Sequence, residues 1–421
     1  MKKSISLLLA AVMVFALAAI ACADATTVTA WISDGAETVI YTSMFDDFNS
    51  KHDDIQVDYQ FFAQDELLNK LQTAPIVGDT PDLIVIDGLQ IPYFQDLGMI
   101  ACLDDYIDED MKNDVLPSVW SEVTYDGGLY GVAQFDSGMA MWTRKSILEK
   151  IGARIPTSYK DAWTVEEFED ILAKCKEIGY EYPLYIRQNK ASSLYFTWMA
   201  VIASFGGDYL NRDTMLATGT MDGENTIAAY DWMKKMLDAG YINAACDYED
   251  AFYGRDEAAF SMLGHWKYSQ HVEAFGDDAI IVPLPDFGNG VFTCSGSTVD
   301  VMTTAAVDRG VADQAWTVLQ AMMSPEYIQM VCNVNGGVPA RKSVMDGMEQ
   351  WQEGGRLYLY REQLEAGISY LRPITPAHST LQAQMASVVT NILAGGDPAE
   401  LLHDAAEYVD EIIVENDWNI E

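Results

Sequence analysis

Basic residues are scarce in this sequence. Its 421 residues include 25 Lys and Arg against 64 Asp and Glu, which gives a formal net charge of −39 at pH 7. A surface of that charge repels nucleic acid and anionic lipid, so neither is expected as a partner. Solubility in an acidic or saline medium is the simpler interpretation of the excess acid. The hydrophobic content of 49% argues against a disordered chain.

Cysteine is also scarce. Five of the six cysteines lie beyond residue 23, and this odd number is widely spaced. No CxxC motif or Cys/His cluster indicates zinc or redox chemistry, so neither a metal site nor a cofactor is predicted. At least one thiol is free or pairs between molecules, and most are expected in the core. The sequence leaves the disulfide pairing open among Cys102, Cys175, Cys246, Cys294 and Cys332.

Long hydrophobic runs are missing after the N-terminus. The first residues are basic, Leu7 to Ile20 are mostly apolar, and small residues at Ala19, Ala21 and Ala23 fit a cleavage site. This pattern predicts a secretory signal peptide over residues 1–23. No later stretch is long and apolar enough to span a bilayer. We therefore expect an extracytoplasmic protein, in the periplasm or at the cell surface.

A second interpretation of the N-terminus involves Cys22. The residues from Ala18 to Cys22 resemble a bacterial lipoprotein box, but Ala19 replaces the leucine usual three residues before the cysteine. A lipid anchor at Cys22 would also have only a short linker to the folded chain, because a strand-like run starts at Thr27. We favour soluble export over a lipid anchor at Cys22.

The chain beyond the signal peptide is longer than one hydrophobic core usually holds, so two domains are expected. Its first hundred residues alternate between periods of two and 3.6 residues, which predicts strand, helix, strand, helix, strand. This order is typical of a doubly wound α/β sheet. The five segments are 27–32, 37–49, 55–61, 66–74 and 83–86.

Helices dominate the later part of the chain, interrupted by one buried strand at 279–282. Thr164 and Glu167 form a capping-box pattern that predicts the start of a helix, and Gly179 predicts its end. Three further helices are predicted over 226–239, 314–323 and 381–393.

Five motifs follow one another in a distinctive order. Together with the signal peptide and the length, they resemble the sugar-binding group of extracytoplasmic solute-binding proteins of ABC importers, the maltodextrin-binding-protein-like family. The resemblance covers nearly the whole chain beyond the signal peptide. The motifs lie at 78–82 (GDTPD), 126–132 with 141–145, 162–164 (AWT), 258–266 (AAFSMLGHW) and 336–341 (GGVPAR).

The resemblance implies a two-lobed periplasmic-binding-protein fold of type II, with a helix-flanked sheet in each lobe and the ligand in the interlobe cleft. It implies chain crossings near Gln134–Asp136 and near Pro283–Phe287. The N-terminal lobe is then 24–135 plus 288–342, and the C-terminal lobe is 136–287 plus 343–421. Partners implied are a carbohydrate and the permease subunits of the transporter, with the protein itself a monomer.

Asp87 is the first candidate for a ligand contact. It follows the aliphatic run Leu83–Ile86, and ligands of open α/β sheets gather outside the carboxyl ends of the strands. Asp-Gly is also a common turn pair, so a capping role is the alternative. The resemblance favours the ligand role, because a carboxylate can accept two sugar hydroxyls at once.

Trp266 is the aromatic candidate, since the resemblance implies an indole that stacks on a sugar ring in a Gly-x-Trp loop. Such a ring covers the apolar face of a sugar while acids and amides bind the hydroxyls. Other candidates have structural alternatives: a helix start for Ser33, a hinge hydrogen bond for Asp136, and core packing for two aromatics. The full candidate set is Ser33, Asp34, Gly35, Asp65, Asp87, Asp136, Tyr195, Trp198, Trp266, Gly336 and Gly337.

The predicted function is extracytoplasmic binding of a sugar, an oligosaccharide above all, and its delivery to an ABC permease. Maltodextrin itself is doubtful, because Thr380-Leu381 and the residues after the second strand depart from the pattern. Polyamine, peptide and glycerophosphate remain alternative ligands, with phosphate disfavoured because few basic residues fall in the expected cleft segments. A secreted glycosidase is a remote alternative. No GxSxG, HExxH or Walker motif supports catalysis, so we predict no enzyme.

Overall fold

The computed structural model describes residues 25–35 and 37–420. The predicted signal peptide, its cleavage site and Cys22 lie outside the described residues, as does the side chain of Asp65.

Fourteen strands are found in the described part of the chain. In chain order they are β1 (Thr26–Ser33), β2 (Ile55–Phe62), β3 (Leu83–Asp87), β4 (Thr124–Tyr125), β5 (Gly128–Leu129), β6 (Phe135–Asp136), β7 (Met141–Arg144), β8 (Leu184–Tyr185), β9 (Phe260–Ser261), β10 (Ala279–Val282), β11 (Thr293–Ser295), β12 (Thr298–Met302), β13 (Val338–Pro339) and β14 (Ser369–Leu371).

Helices separate most of these strands. They span Thr38–Lys51, Gln64–Val77, Ile91–Asp96, Glu109–Asp114, Pro117–Val123, Lys145–Ile151, Val165–Glu177, Leu194–Thr197, Met199–Ser204, Glu224–Asp238, Tyr268–Phe275, Thr304–Asp308, Ala312–Met322, Pro325–Asn335, Lys342–Asp346, Tyr358–Glu365, His378–Leu393 and Pro398–Glu415.

The first sheet has four strands in the order β12-β3-β1-β2. β1 runs parallel to both β2 and β3, and β12 runs antiparallel to β3 with Thr298 opposite Asp87. The carboxyl ends of β1 and β3 therefore lie at the same edge as the start of β12. The predicted strands and helices of the first hundred residues are all present, which confirms the doubly wound pattern.

Asp82 explains why the GDTPD motif precedes β3. Its carboxylate is fully buried and accepts hydrogen bonds from the backbone N–H and the hydroxyl of Thr29, at 2.8 and 2.9 Å. Arg309 pairs with the same oxygen at 2.7 Å. The motif thus fastens the start of β3 to β1 rather than forming a ligand site.

The second sheet has the order β10-β7-β9-β8, in which only β8 and β9 are parallel. The capping box of Thr164 and Glu167 is present and starts the helix Val165–Glu177 as predicted. Helices cover this sheet as well, so each lobe is a sheet flanked by helices, and the predicted fold class is confirmed.

Buried apolar side chains form two clusters: the first surrounds the first sheet and also includes Trp142, Tyr185 and Ala279 of the second sheet, and the second surrounds the rest of the second sheet. Val344 and Leu359 belong to the first cluster, although they lie beyond the predicted end of the N-terminal lobe at 342. Cys294 belongs to the second cluster. β10 belongs to the second sheet and β12 to the first, so the chain returns to the first sheet between Val282 and Thr298, a span that includes the expected crossing near Pro283–Phe287. The lobe boundaries stay a prediction.

The first crossing runs through β6, which pairs antiparallel with β13. Asp136 ties the two crossings together, because its Oδ1 accepts hydrogen bonds from the N–H of Ser137 at 2.7 Å and of Gly296 at 3.1 Å. This is the hinge hydrogen bonding that the sequence offered as the alternative role of Asp136.

Four of the five described cysteines are buried, Cys102 is exposed, and none forms a disulfide with another described cysteine. A search of the described helices found none with the length and apolar character needed to cross a membrane.

Candidate functional site: the interlobe cleft

A cleft of about 470 Å³ lies at the edge of the first sheet where β1 and β3 end. One wall comes from this edge and carries Ser33, Asp34, Asp87 and Thr298. The facing wall comes from the second lobe and includes Trp266. The position agrees with the rule that ligands of α/β sheets gather at the carboxyl ends of strands.

The loop after β1 shapes one end of this wall. Asp34 and Gly35 are exposed, and both contact Thr38 at the start of the following helix. The Thr38 hydroxyl donates to Asp34 Oδ1 at 2.5 Å, and the Gly35 N–H lies 3.0 Å from the same hydroxyl. The helix start that the sequence offered as an alternative is therefore present, and it points Ser33, Asp34 and Gly35 at the cleft.

Asp87 performs the capping role and also lines the cleft. Its Oδ1 accepts from the N–H of Leu89 at 3.0 Å, and Arg372 of the second lobe contacts both carboxylate oxygens at 3.2 and 3.1 Å. Burial is the largest influence and works against ionisation of Asp87, but the charge of Arg372 acts together with that of His378 and with the hydrogen bonds from Leu89 and Arg372, and the pKa of this carboxyl is held below its usual value. Asp87 is thus an ionised acceptor at the cleft surface.

Arg372 is itself buried, with 3% of its side chain exposed. Its guanidinium lies over the rings of Tyr195 and Phe196, 5.4 and 4.9 Å from their centroids. These rings hold the cation in place beneath the cleft, where it joins the second lobe to Asp87 of the first.

A second carboxylate, Glu122, lies behind Asp87. Both of its oxygens accept from the N–H of Ser297, at 2.9 and 3.0 Å. A Cβ at residue 88 would lie 2.5 Å from the Glu122 side chain, so a larger residue there would have to displace Glu122. Burial, followed by the charges of Asp87 and Asp136, raises the pKa of Glu122 well above its usual value. Burial and the neighbouring acids therefore disfavour the charged form of Glu122.

Trp266 forms the apolar surface of the opposite wall. Its ring folds back over Gly264, where an added Cβ would lie 2.3 Å from the indole. The Gly-x-Trp spacing therefore has a steric reason, since no other residue at 264 leaves room for the ring. Trp266 is half-buried, and Phe196 packs beside it with centroids 6.1 Å apart.

His265 connects this wall to the hinge. Its Nδ1 lies 3.0 Å from the carbonyl oxygen of Asn335, which can only accept, so Nδ1 carries the proton. Nε2 then accepts from the hydroxyl of Ser137, at 3.0 Å. Burial lowers the pKa of His265 to about 4. The neutral ring thus joins three chain segments that meet under the cleft.

Five of the predicted site residues line the cleft: Ser33, Asp34, Gly35, Asp87 and Trp266. Asp136 lies behind the cleft surface in the hinge, with 1% exposure. Gly336 and Gly337 lie beside the hinge. An added Cβ at residue 336 would lie 2.7 Å from Tyr268, and one at residue 337 would lie 2.6 Å from Phe135.

Tyr195 and Trp198 pack in the core, the alternative that the sequence left open for both. Each is fully buried. Trp198 stacks on Trp232 with centroids 5.8 Å apart, and Tyr195 lies under Arg372 and against Tyr209. Packing against large rings therefore replaces the expected contact of Trp198 with a ligand. Tyr195 acts on the cleft through Arg372.

Sequence reasoning missed the charged residues of the second wall. The expectation of few basic residues in the cleft is wrong, because four cations line it: Arg187, Lys190, Lys267 and Arg372. Nothing in their local sequence marks them. Glu122 carried a usable signal, because it occupies the apolar face of its helix, three residues after Val119 and next to Val123.

A deep cleft between two sheet-containing lobes, with acceptors on one wall and a flat ring on the other, defines a ligand-binding protein of the periplasmic type. A family model described as bacterial extracellular solute-binding protein matches residues 43–357. The chain belongs to this family of bacterial extracellular solute-binding proteins.

Known relatives are distant but cover most of the chain. The maltotriose-binding protein of Pyrococcus abyssi is 21% identical over 388 residues, which are 90% of this chain and 79% of that protein. The GacH receptor of Streptomyces glaucescens, solved unliganded and with acarbose, superposes with a TM-score of 0.79 at 21% identity, over 93% of this chain and 99% of that one. UgpB of Mycobacterium tuberculosis, solved with glycerophosphocholine, gives a TM-score of 0.78 at 17% identity, over 93% and 100% of the two chains.

Proposed function

We propose that the protein binds a sugar in the interlobe cleft outside the cytoplasm and delivers it to the permease of an ABC importer. The observation that carries this proposal is the pairing of Trp266 with Asp87 across the cleft. An indole covers the apolar C–H face of a pyranose, and an ionised carboxylate accepts its hydroxyls. Relatives named for maltotriose and acarbose support the same substrate class.

The proposed contacts are the residues that line the cleft. Ser33 and Asp34 supply a hydroxyl and a carboxylate at the end of β1, beside the backbone of Gly35. Asp87 supplies the ionised acceptor at the cleft surface, and Trp266 the stacking surface. Hydrogen bonds to charged groups contribute about 1.5–3 kcal/mol each, so Asp87 is expected to matter more than Ser33.

The bound sugar leaves the cleft chemically unchanged in this proposal, since the family consists of solute-binding proteins. Delivery needs only that both lobes hold the ligand and then release it to the permease. Chromatography of an oligosaccharide incubated with the protein should show no shorter product. Cleavage would contradict the proposal and favour a glycosidase.

A thermal-shift screen over a carbohydrate panel tests the substrate class. A ligand that binds only the folded protein at 100 times its dissociation constant stabilises it by about 2.7 kcal/mol. We expect at least one mono- or oligosaccharide to raise the melting temperature. A panel in which only polyamines or peptides do so would contradict the sugar assignment.

A further inference from the structure

Cations are concentrated at one end of the cleft, around Trp266. Arg187 and Lys267 lie at this end, and Lys190 lines the same cleft. The whole sequence has 25 basic residues against 64 acidic ones, so the concentration runs against the overall composition. The acids Asp34, Glu37 and Asp87 also line the cleft, so a positive field is local to the Trp266 end, where the low-dielectric walls focus it and favour an anionic ligand group.

Arg187 and Lys267 share a single carboxylate. Arg187 Nη2 lies 2.8 Å from Glu249 Oε1, and Lys267 Nζ lies 2.6 Å from Glu249 Oε2. Burial works against ionisation of Glu249, but the hydrogen bond from Lys267 and the charge of Arg187 outweigh it and lower the pKa of this carboxyl. The neighbouring Asp250 is paired with Arg255. Two cations and one ionised acid therefore leave one positive charge beside Trp266.

Arg187 is also held in an unfavourable conformation. Its φ of 69° is in the left-handed region, which non-glycine residues rarely adopt. Its Nε is buried without a hydrogen-bond partner. Such outliers persist only where the surrounding structure enforces them, and they cluster at binding sites. Here the conformation places the guanidinium over the indole of Trp266, 5.4 Å from the ring centroid.

From these contacts we propose that the Trp266 end of the cleft is a subsite for an anionic substituent of the sugar, either a uronic acid carboxylate or a phosphate ester. The inference rests on the proposed function and narrows it to acidic sugars. A sugar ring that contacts the indole brings its substituents near Arg187 and Lys267. The planar guanidinium suits either oxyanion, and a charge-assisted bond there is about twice as strong as a neutral one.

Calorimetry with matched pairs of sugars tests the subsite. One arm compares maltotriose and galactose with the same sugars oxidised to a carboxylate at C6. A second arm compares glucose and galactose with their 6-phosphates. We expect the anionic member of at least one arm to bind about tenfold tighter or more, with an advantage that shrinks as NaCl is raised. The arm that shows the advantage identifies the anion as carboxylate or phosphate.

Two variants with opposite expected effects on the preference for the anionic sugar separate anion binding from a structural role. Lys267→Gln leaves the neutral pair of Arg187 and Glu249, and is expected to abolish most of the anion preference. Glu249→Gln leaves both cations without their acid, and is expected to increase the preference. Lys51→Gln is the matched control, because Lys51 is exposed on a helix surface and paired with Asp47. This variant should leave the affinity for both the neutral and the anionic sugar of each pair unchanged.

Equal affinity for neutral and anionic members would overturn the subsite and leave the proposed function standing. The subsite would also be overturned if the Lys267 and Glu249 variants changed the affinity for the neutral and the anionic sugar by the same factor. If no sugar of either kind binds while a non-sugar solute does, the proposed function fails together with the subsite.

Discussion

The indole of Trp266 owes its position to the absence of a side chain at residue 264. An added Cβ there would lie 2.3 Å from the ring, so the ring rests directly on the backbone of Gly264. Phe196 packs beside the ring, and the Arg187 guanidinium lies over it. The result is a rigid flat surface, which is what stacking on a sugar ring requires.

Trp266→Ala is expected to weaken sugar binding by about 2 kcal/mol or more, because central aromatic anchors typically cost that much when truncated. Calorimetry and thermal melting on the same sample measure both effects. Trp418→Ala is the matched control, since Trp418 is also half-buried but packs away from the cleft. A Trp266→Ala protein that melts several degrees lower but binds sugar with unchanged affinity would contradict the stacking role.

Asp300 is a buried acid whose charge state changes stability. Its Oδ1 lies 3.4 Å from the Tyr41 hydroxyl, and burial raises its pKa to about 8. Between its unfolded pKa near 4 and about 8, the folded protein binds one proton more than the unfolded chain at this site. The free energy of unfolding therefore falls as pH rises through that window.

Asp300→Asn should remove this dependence, because the amide has no proton to lose. Urea unfolding at pH 6 and pH 9 is expected to show that the native protein loses on the order of 2 kcal/mol more than the variant. Asp58→Asn, on the exposed face of the same sheet, is the control. Parallel pH profiles for the native protein and Asp300→Asn would contradict the assignment.

Single residues were predictable where a local pattern marks them. Asp87 follows four aliphatic residues, and Trp266 lies in the Gly-x-Trp loop to which the family resemblance pointed; both line the cleft. Arg372 could not be found in this way, because its partner Asp87 is 285 positions earlier in the chain. Pairing at that distance depends on the fold, and no local periodicity reports it.

Elements were predictable in proportion to their length. The strands and helices up to β3 have clear periods, and their predicted positions are confirmed. The strands β8 and β9 contain two residues each, too few for an alternation to be seen. The second sheet was therefore recognised from β10 and from the family resemblance, rather than from its central strands.

Asp82 joins β1 to the start of β3 in the first sheet. Asp82→Ala removes the acceptor of the Thr29 N–H and hydroxyl and leaves a buried donor unsatisfied, which costs about 1–3 kcal/mol. Urea unfolding should show this loss, with sugar affinity unchanged in the folded fraction. Asp58→Ala, exposed on β2, is the control and should lie within about 0.5 kcal/mol of the native protein. A loss of stability no larger than that of Asp58→Ala would contradict the stabilising role of the hydrogen bonds between Asp82 and Thr29.

At the scale of the whole molecule, the chain crosses between its sheets through β6 and near Gly296, and Asp136 bonds the two crossings together. The cleft walls on either side of this hinge carry Asp87 and Trp266. A ligand that contacts both walls favours the state in which they are close. Bound sugar is therefore expected to close the lobes about the hinge.

Solution scattering measures this closure directly. The radius of gyration should fall on saturation with the sugar, and the Trp266→Ala protein should need more sugar to reach the same value. An unchanged radius of gyration at saturating ligand, with binding shown independently, would contradict hinge closure.

The central claim is that the interlobe cleft binds a sugar, and isothermal titration calorimetry of the native protein against a carbohydrate panel tests it most directly. The account predicts saturable one-site binding of at least one mono- or oligosaccharide, weakened by Trp266→Ala. Saturable binding of a polyamine or a peptide in the same experiment, with no heat from any sugar, would contradict it.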